Sequence, residues 1–110
     1  MSLSVCLNHT KDGRGELYWR NITHNLAAMA DCAGLYKPMW HPSENGIFKA
    51  KDLIPFLEKG LKNLKNLDEE VIESKTPNNG WGTYENLVEF TQLYLDACKE
   101  FPDAYIHVSR

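Results

Sequence analysis

The chain has 110 residues, of which 43% are hydrophobic, 25% charged and 11% aromatic. This length predicts one domain, residues 1–110, which is large enough to bury a core without disulfides or a metal, and the composition excludes a disordered or fibrous protein. The net charge is −3 and the basic residues are dispersed. Charge therefore argues against binding of extended nucleic acid, but it leaves room for a small anionic ligand.

Neither a membrane span nor a secretion signal is predicted. No apolar run approaches the ~20 residues that cross a bilayer. The N-terminus has neither the basic region nor the long apolar region of a signal peptide. We therefore expect no membrane partner, and we expect reduced thiols at Cys6, Cys32 and Cys98.

The N-terminal part of the chain predicts a β-hairpin. Apolar and polar residues alternate with period 2 in Leu3–Asn8 and again in Glu16–Arg20, where Leu17 and Trp19 are the apolar set. Between them, Thr10–Gly15 has the composition of a turn.

A helix from His24 to Ala33 follows the hairpin. Apolar residues at helical spacing form one face, namely Leu26, Met29, Ala30 and Ala33. Gly34 is suited to end this helix, and either Asn21 or Thr23 is suited to cap its start.

The middle of the chain predicts an irregular loop followed by a second helix. Tyr36–Gly46 is rich in aromatic residues and holds prolines and a glycine, which favours a loop. Lys49–Asn66 has a leucine face and predicts a helix with Pro55 in its first turn. Asp68–Lys75 is either a short helix or a loop, and Thr76–Gly82 is irregular.

The C-terminal part predicts a third helix and a last strand. Thr83 caps the helix, which ends near Phe101, and Ala104–Ser109 alternates as a strand that joins the N-terminal hairpin. The order is ββαααβ. The predicted fold class is α+β, with a small antiparallel or mixed three-stranded sheet covered by about three helices.

The segment Asn21–Asn25 is the first candidate site. A helix N-terminus carries unpaired N–H groups and positive partial charge, so it attracts anions. Asn21, His24 and Asn25 would add side-chain donors around such an anion. The alternative is that one residue of this segment caps the helix while the others face solvent.

Two further segments supply aromatic side chains. In Asn78–Asn86, Trp81 either stacks on a planar ligand or fills the edge of the core, and Gly82 either admits a ligand to the backbone or forms a turn. In Tyr36–Pro42, Trp40 is either a pocket wall or part of the core.

An anion at the helix start and a ring stacked on tryptophan together describe a nucleotide-like ligand. The predicted ligand contacts are Asn21, His24 and Asn25 for polar groups, Trp40, Trp81 and Tyr84 for rings, Gly82 for backbone approach, and Arg20 and Arg110 for a phosphate. The histidines show no metal-ligand spacing, and no nucleophile motif occurs. We therefore predict a binding protein without cofactor or metal, and not an enzyme.

Four stretches of the chain resemble a family of small phage and prophage proteins. They are "NITHNLAAMADCAGLYKPMWHP", "GIFKAKDLIPFLEKGLKNLK", "NNGWGTYENLVEF" and "PDAYIHVSR". The resemblance runs from Asn21 to Arg110, and it departs at His41, where the family usually has arginine. It implies a cytoplasmic protein of an infected or lysogenic bacterium.

The resemblance implies that this chain acts by binding. We expect a protein that binds or sequesters a nucleotide-like anion, as phage sponges for host immune signals do. The alternative is a protein–protein inhibitor or structural adaptor that uses an exposed aromatic patch. A homo-oligomer fits either function.

Overall fold

A computed structural model of the chain describes residues 2–77 and 82–110. The elements in chain order are β1 (Ser2–Asn8), β2 (Glu16–Thr23), α1 (Ala27–Cys32), α2 (Tyr36–Trp40), α3 (Ala50–Lys65), α4 (Glu69–Lys75), α5 (Tyr84–Glu100) and β3 (Tyr105–Ser109). Short 3-10 turns lie at His24–Leu26 and Ser43–Asn45. The predicted α+β class is confirmed.

The three strands form one antiparallel sheet in the order β2-β1-β3. The last strand of the chain therefore joins the N-terminal hairpin, as the sequence predicts, and it does so beside the first strand. Val5 of the central strand pairs with Arg20 on one side and with Val108 on the other. Leu3, Val5 and Leu7 are fully buried, because they lie on the sheet face that packs against the helices.

Strand β2 does not bury the apolar side chains that its period-2 pattern assigns to the covered face. Leu17 and Trp19 are exposed, whereas Tyr18 lies on the covered face and stacks on Tyr94 of α5 with ring centroids 6.1 Å apart. The pairing of β1 with β2 is interrupted at Leu7/Asn8. Helix α5 supplies an aromatic partner to the inner face, which leaves Trp19 on the uncovered face of the sheet.

The start of the first predicted helix is capped by Thr23. Its Oγ1 accepts a hydrogen bond from the Asn25 N–H at 3.2 Å, which decides the choice between Asn21 and Thr23. The helix opens as the 3-10 turn His24–Leu26 before α1 begins.

The prediction of about three helices is wrong, because the described residues contain five. Tyr36–Gly46 is not an irregular loop but holds α2 and a 3-10 turn. Pro38 lies within the first turn of α2, where a missing N–H removes no helical hydrogen bond. Burial of Met39 and Trp40 then stabilises this short helix against the core.

Helices α3 and α4 lie in the two segments that follow. Asp68–Lys75, predicted as a helix or a loop, contains α4. Pro55 lies in the second turn of α3 and not in its first, because α3 begins at Ala50. The predicted leucine face of α3 is buried as expected, at Leu53, Leu57, Leu61 and Leu64.

In the ranges that the structure describes, no helix combines the length and apolar character needed to cross a membrane.

The hydroxyl of Tyr94 is buried without a hydrogen-bond partner among the described residues. Burial raises the pKa of Tyr94 well above its ordinary value, so this hydroxyl remains protonated. An unpaired buried hydroxyl costs about 1–3 kcal/mol. We therefore expect Tyr94→Phe to raise the free energy of unfolding by about 1 kcal/mol in urea denaturation.

Tyr84→Phe is the matched control for this prediction. The Tyr84 hydroxyl donates to the Leu64 carbonyl oxygen at 2.7 Å, so its removal should lower the free energy of unfolding by about 1 kcal/mol. Equal effects of Tyr94→Phe and Tyr84→Phe would show that the missing partner of Tyr94 has no energetic consequence.

Candidate functional site

A cleft of about 420 Å³ lies between the end of β2 and the start of α5. We call it the β2–α5 cleft. Its lining residues are Arg20, Asn21, Ile22, Thr23, Leu26, Gly82, Asn86, Glu89 and Phe90. The cleft therefore joins the two polar segments that the sequence singled out, Asn21–Asn25 and Asn78–Asn86.

The start of α5 is fixed by a reciprocal cap. Thr83 Oγ1 accepts from the Asn86 N–H, and Asn86 Oδ1 accepts from the Thr83 N–H, each at 3.1 Å. This capping box places Asn86 at the cleft with its side-chain oxygen already bonded. The amide N–H groups of Asn86 are the donors that it can offer to a ligand.

Gly82 brings the two segments into contact. Its φ is +108°, and a Cβ at this position would lie 2.8 Å from Thr23 Cγ2 and 2.9 Å from Leu26 Cγ. Gly82 thus packs directly on the side chains of Thr23, the last residue of β2, and of Leu26, in the 3-10 turn that follows. The close approach that the sequence predicted for a ligand is made here by the chain itself.

The charge in the cleft is paired. Arg20 Nη2 lies 2.8 Å from Glu89 Oε1, and both side chains are partly exposed. Arg20 is the only basic residue among the described lining residues. An anion in the cleft would therefore compete with Glu89 for the guanidinium, while the start of α5 adds positive partial charge nearby.

His24 and Trp40 meet each other and not the cleft. Trp40 Nε1 donates to His24 Nδ1 at 2.9 Å, which leaves the imidazole proton on Nε2. Trp40 is only 2% exposed, and its ring stacks on Tyr36 with centroids 5.6 Å apart. The segment after α1 does fold back toward His24, and it places Trp40 in the core.

The two asparagines of the first segment have different surroundings. Asn21 lines the cleft, but its Nδ2 donates to Ser2 Oγ at 2.8 Å and to Ser4 Oγ at 3.0 Å. Its amide donors are thus engaged with β1. Asn25 is exposed and is not among the lining residues.

The remaining predicted contacts lie elsewhere. Tyr84 borders a different depression, between α3 and α5, and its hydroxyl donates to Leu64. Arg110 contacts His41 and lies 3.6 Å from Glu44. Trp81 lies outside the described residues, so its ring contact stays a prediction. Of the predicted residues that the structure describes, Arg20, Asn21 and Gly82 come together.

Sequence reasoning missed Glu89 and Phe90 as lining residues. Glu89 follows Asn86 by three positions, so both lie on one face of α5. The capping box identifies Asn86 from local sequence, and helical spacing then extends that face to Glu89. No local signal links Glu89 to Arg20, since 69 positions separate them.

Among its described lining residues, the cleft offers hydrogen-bonding side chains and one charge pair. Outside it, burial raises the pKa of Cys98 to about 12, so that thiol is protonated at neutral pH. Burial, then the neighbouring Glu16 carboxylate, raises the pKa of Cys6. Within residues 2–77 and 82–110, no group of three histidine, cysteine or acidic side chains could hold a metal ion.

These features define a small α+β domain with an open polar cleft at the junction of sheet and helix. A scan of the chain against protein-family models found no match, and searches of curated proteins and of solved structures found none either.

Proposed function

We propose that this chain is a small phage or prophage protein that binds a nucleotide-like anion in the β2–α5 cleft. The observation that carries the proposal is the position of Arg20, whose guanidinium shares the cleft with Asn86 and the start of α5. The cleft volume of about 420 Å³ lies in the range of small-molecule sites, about 300–1,000 Å³. Sequestration of such a ligand in the cytoplasm of an infected bacterium is the role that we assign.

The anionic group would contact Arg20 in place of Glu89. Guanidinium groups bind phosphate and carboxylate through two parallel N–H donors. The exposed pair of Arg20 and Glu89 contributes little to stability, about 0–1 kcal/mol. Replacement of Glu89 by a ligand anion therefore loses little free energy. Asn86 would donate to a second polar group of the ligand.

A thermal-shift screen against linear nucleotides, cyclic nucleotides and inorganic phosphate tests the proposal. A ligand at 100 times its Kd adds about 2.7 kcal/mol to the free energy of unfolding. We expect at least one nucleotide to raise the Tm more than phosphate does. If no compound of the panel raises the Tm, the proposed function is wrong.

Opposite effects of two substitutions would locate that ligand in the cleft. Arg20→Gln should weaken binding about tenfold to a hundredfold, because a charge-assisted hydrogen bond contributes about 1.5–3 kcal/mol. Glu89→Gln should strengthen binding about two- to fivefold, since it removes the carboxylate 2.8 Å from the guanidinium. Isothermal titration calorimetry measures both.

Arg14→Gln is the matched control. Arg14 also pairs with a carboxylate, Asp12 at 3.2 Å, but it lies in the hairpin turn. This variant should bind the ligand like the unmodified chain. Equal weakening by Arg14→Gln and Arg20→Gln would indicate an effect of net charge and would argue against the cleft.

The uncovered face of the sheet favours a second candidate function, that of a protein–protein inhibitor or adaptor. Trp19 is 54% exposed there, and Leu17 is exposed near it. Exposed tryptophan often contributes strongly to protein interfaces. Sedimentation of the unmodified chain and of Trp19→Ser tests whether this face joins copies of the chain. A homo-oligomer joined through it would dissociate in the variant.

A further inference from the structure

A second groove, of about 450 Å³, lies beside β3. We call it the Phe48 groove. Its lining residues are Lys11, Phe48, Lys49, Tyr105, Ile106 and His107. Because β2 and β3 are the opposite edges of the sheet, this groove and the β2–α5 cleft are separate sites.

The walls of the groove are held by backbone pairing. The Phe48 carbonyl oxygen accepts from the Ile106 N–H at 2.9 Å, and Lys49 forms a β-bridge with Tyr105. The Phe48 side chain is nevertheless 58% exposed, the largest exposed fraction among the exposed large hydrophobic residues of the described chain. The groove therefore presents an aromatic ring on a fixed backbone.

The groove also carries positive charge beside its rings. Lys49 Nζ lies 5.1 Å from the centroid of the Tyr105 ring, and Lys11 enters from the hairpin turn. Neither lysine has an ion-pair partner within 4.0 Å among the described residues. The nearest acid in sequence to Lys11, Asp12, pairs with Arg14 instead.

The Phe48 groove thus combines two lysines that have no ion-pair partner among the described residues with the exposed ring of Phe48 and the ring of Tyr105. A purely apolar ligand would leave the lysines unused, and a purely ionic ligand would leave the rings of Phe48 and Tyr105 uncovered. A ligand that combines a planar ring with an anionic group satisfies both.

We propose that the Phe48 groove binds a small ligand made of a planar aromatic ring and an anionic group. The ring lies against Phe48 and Tyr105, and the anion contacts Lys11 and Lys49. This inference goes beyond the proposed function, since it concerns a different site. Nucleoside phosphates and aromatic carboxylates share this chemistry, and the experiment separates them.

The test is an NMR titration of the ¹⁵N-labelled full chain. The probes are a nucleoside monophosphate, an indole carboxylate, an uncharged nucleoside and inorganic phosphate. We expect saturable shifts of the amide signals of Phe48 and Ile106 with at least one of the first two probes. The nucleoside and phosphate alone should bind about tenfold more weakly or worse, because each makes only half of the contacts.

Substitutions in the groove should weaken that probe selectively. Phe48→Ala and Lys49→Gln should each raise its Kd about tenfold, through loss of a ring contact and of a cation. Phe56→Ala and Lys62→Gln are matched controls, since both side chains are exposed on α3 outside the groove. The controls should leave the Kd unchanged, and circular dichroism should show that all four variants fold.

Arg20→Gln separates this inference from the proposed function. It should leave the Phe48 and Ile106 shifts intact even though it weakens binding in the β2–α5 cleft. Absence of saturable shifts at Phe48 and Ile106 with both aromatic anions would overturn the inference. Equal weakening by Phe48→Ala and Phe56→Ala would overturn it as well.

Discussion

Replacement of Trp40 by alanine is expected to lower the free energy of unfolding by about 3–5 kcal/mol. Trp40 is only 2% exposed, stacks on Tyr36 and donates to His24 Nδ1. Truncation removes a large apolar surface, leaves a cavity and deprives the imidazole of its donor. Since a typical domain has about 5–15 kcal/mol of stability, this loss is a large part of the total.

Urea denaturation followed by far-UV circular dichroism measures the effect of Trp40→Ala, because that signal does not depend on the replaced tryptophan. Trp40→Phe is the companion variant. It keeps most of the apolar volume but leaves His24 Nδ1 without the indole N–H, so we expect a loss of about 1–3 kcal/mol. A loss below about 1 kcal/mol for Trp40→Ala would contradict the assignment of Trp40 to the core.

The parts of the fold that could be predicted are those with a long local pattern. The period-2 alternation of β1 and the leucine face of α3 each report burial on one side, and both elements occur where the patterns place them. Gly34 ends α1 as predicted, since the Leu35 N–H bonds back to the Ala30 carbonyl oxygen at 2.9 Å.

The parts that could not be predicted depend on contacts between distant residues. The choice of which β2 side chains face the core depends on Tyr94, which lies in another element and stacks on Tyr18. Helix α2 is too short to show a periodic face, and Pro38 argues locally for a loop. Its helical state follows from the burial of Met39 and Trp40, which requires the assembled core.

The candidate site shows the same division. Two polar segments could be selected from the sequence, and Gly82 packs on Thr23 and Leu26, which joins those segments in one cleft. The roles of single residues in these segments and beside them could not be predicted. His24 has a structural partner in Trp40, and Arg20 has one in Glu89, and both partners are distant in sequence.

Substitution of Gly82 by alanine is expected to lower the free energy of unfolding by about 2–5 kcal/mol. Two effects add. A φ of +108° disfavours any residue with a Cβ by about 1–2 kcal/mol. The new Cβ would also lie 2.8 Å from Thr23 Cγ2 and 2.9 Å from Leu26 Cγ, and relief of such overpacking costs about 1–3 kcal/mol.

Gly34→Ala separates the two effects of the Gly82 substitution. Gly34 has a φ of +76°, but a Cβ there would have no neighbour within 4 Å, so only the backbone effect of about 1 kcal/mol applies. Urea denaturation should therefore give a lower free energy of unfolding for Gly82→Ala than for Gly34→Ala. Equal losses would show that Gly82 is required only for its backbone conformation. A larger loss at Gly82, together with weaker ligand binding, would show that its contact with Thr23 and Leu26 holds the start of α5 against β2 and so shapes the cleft.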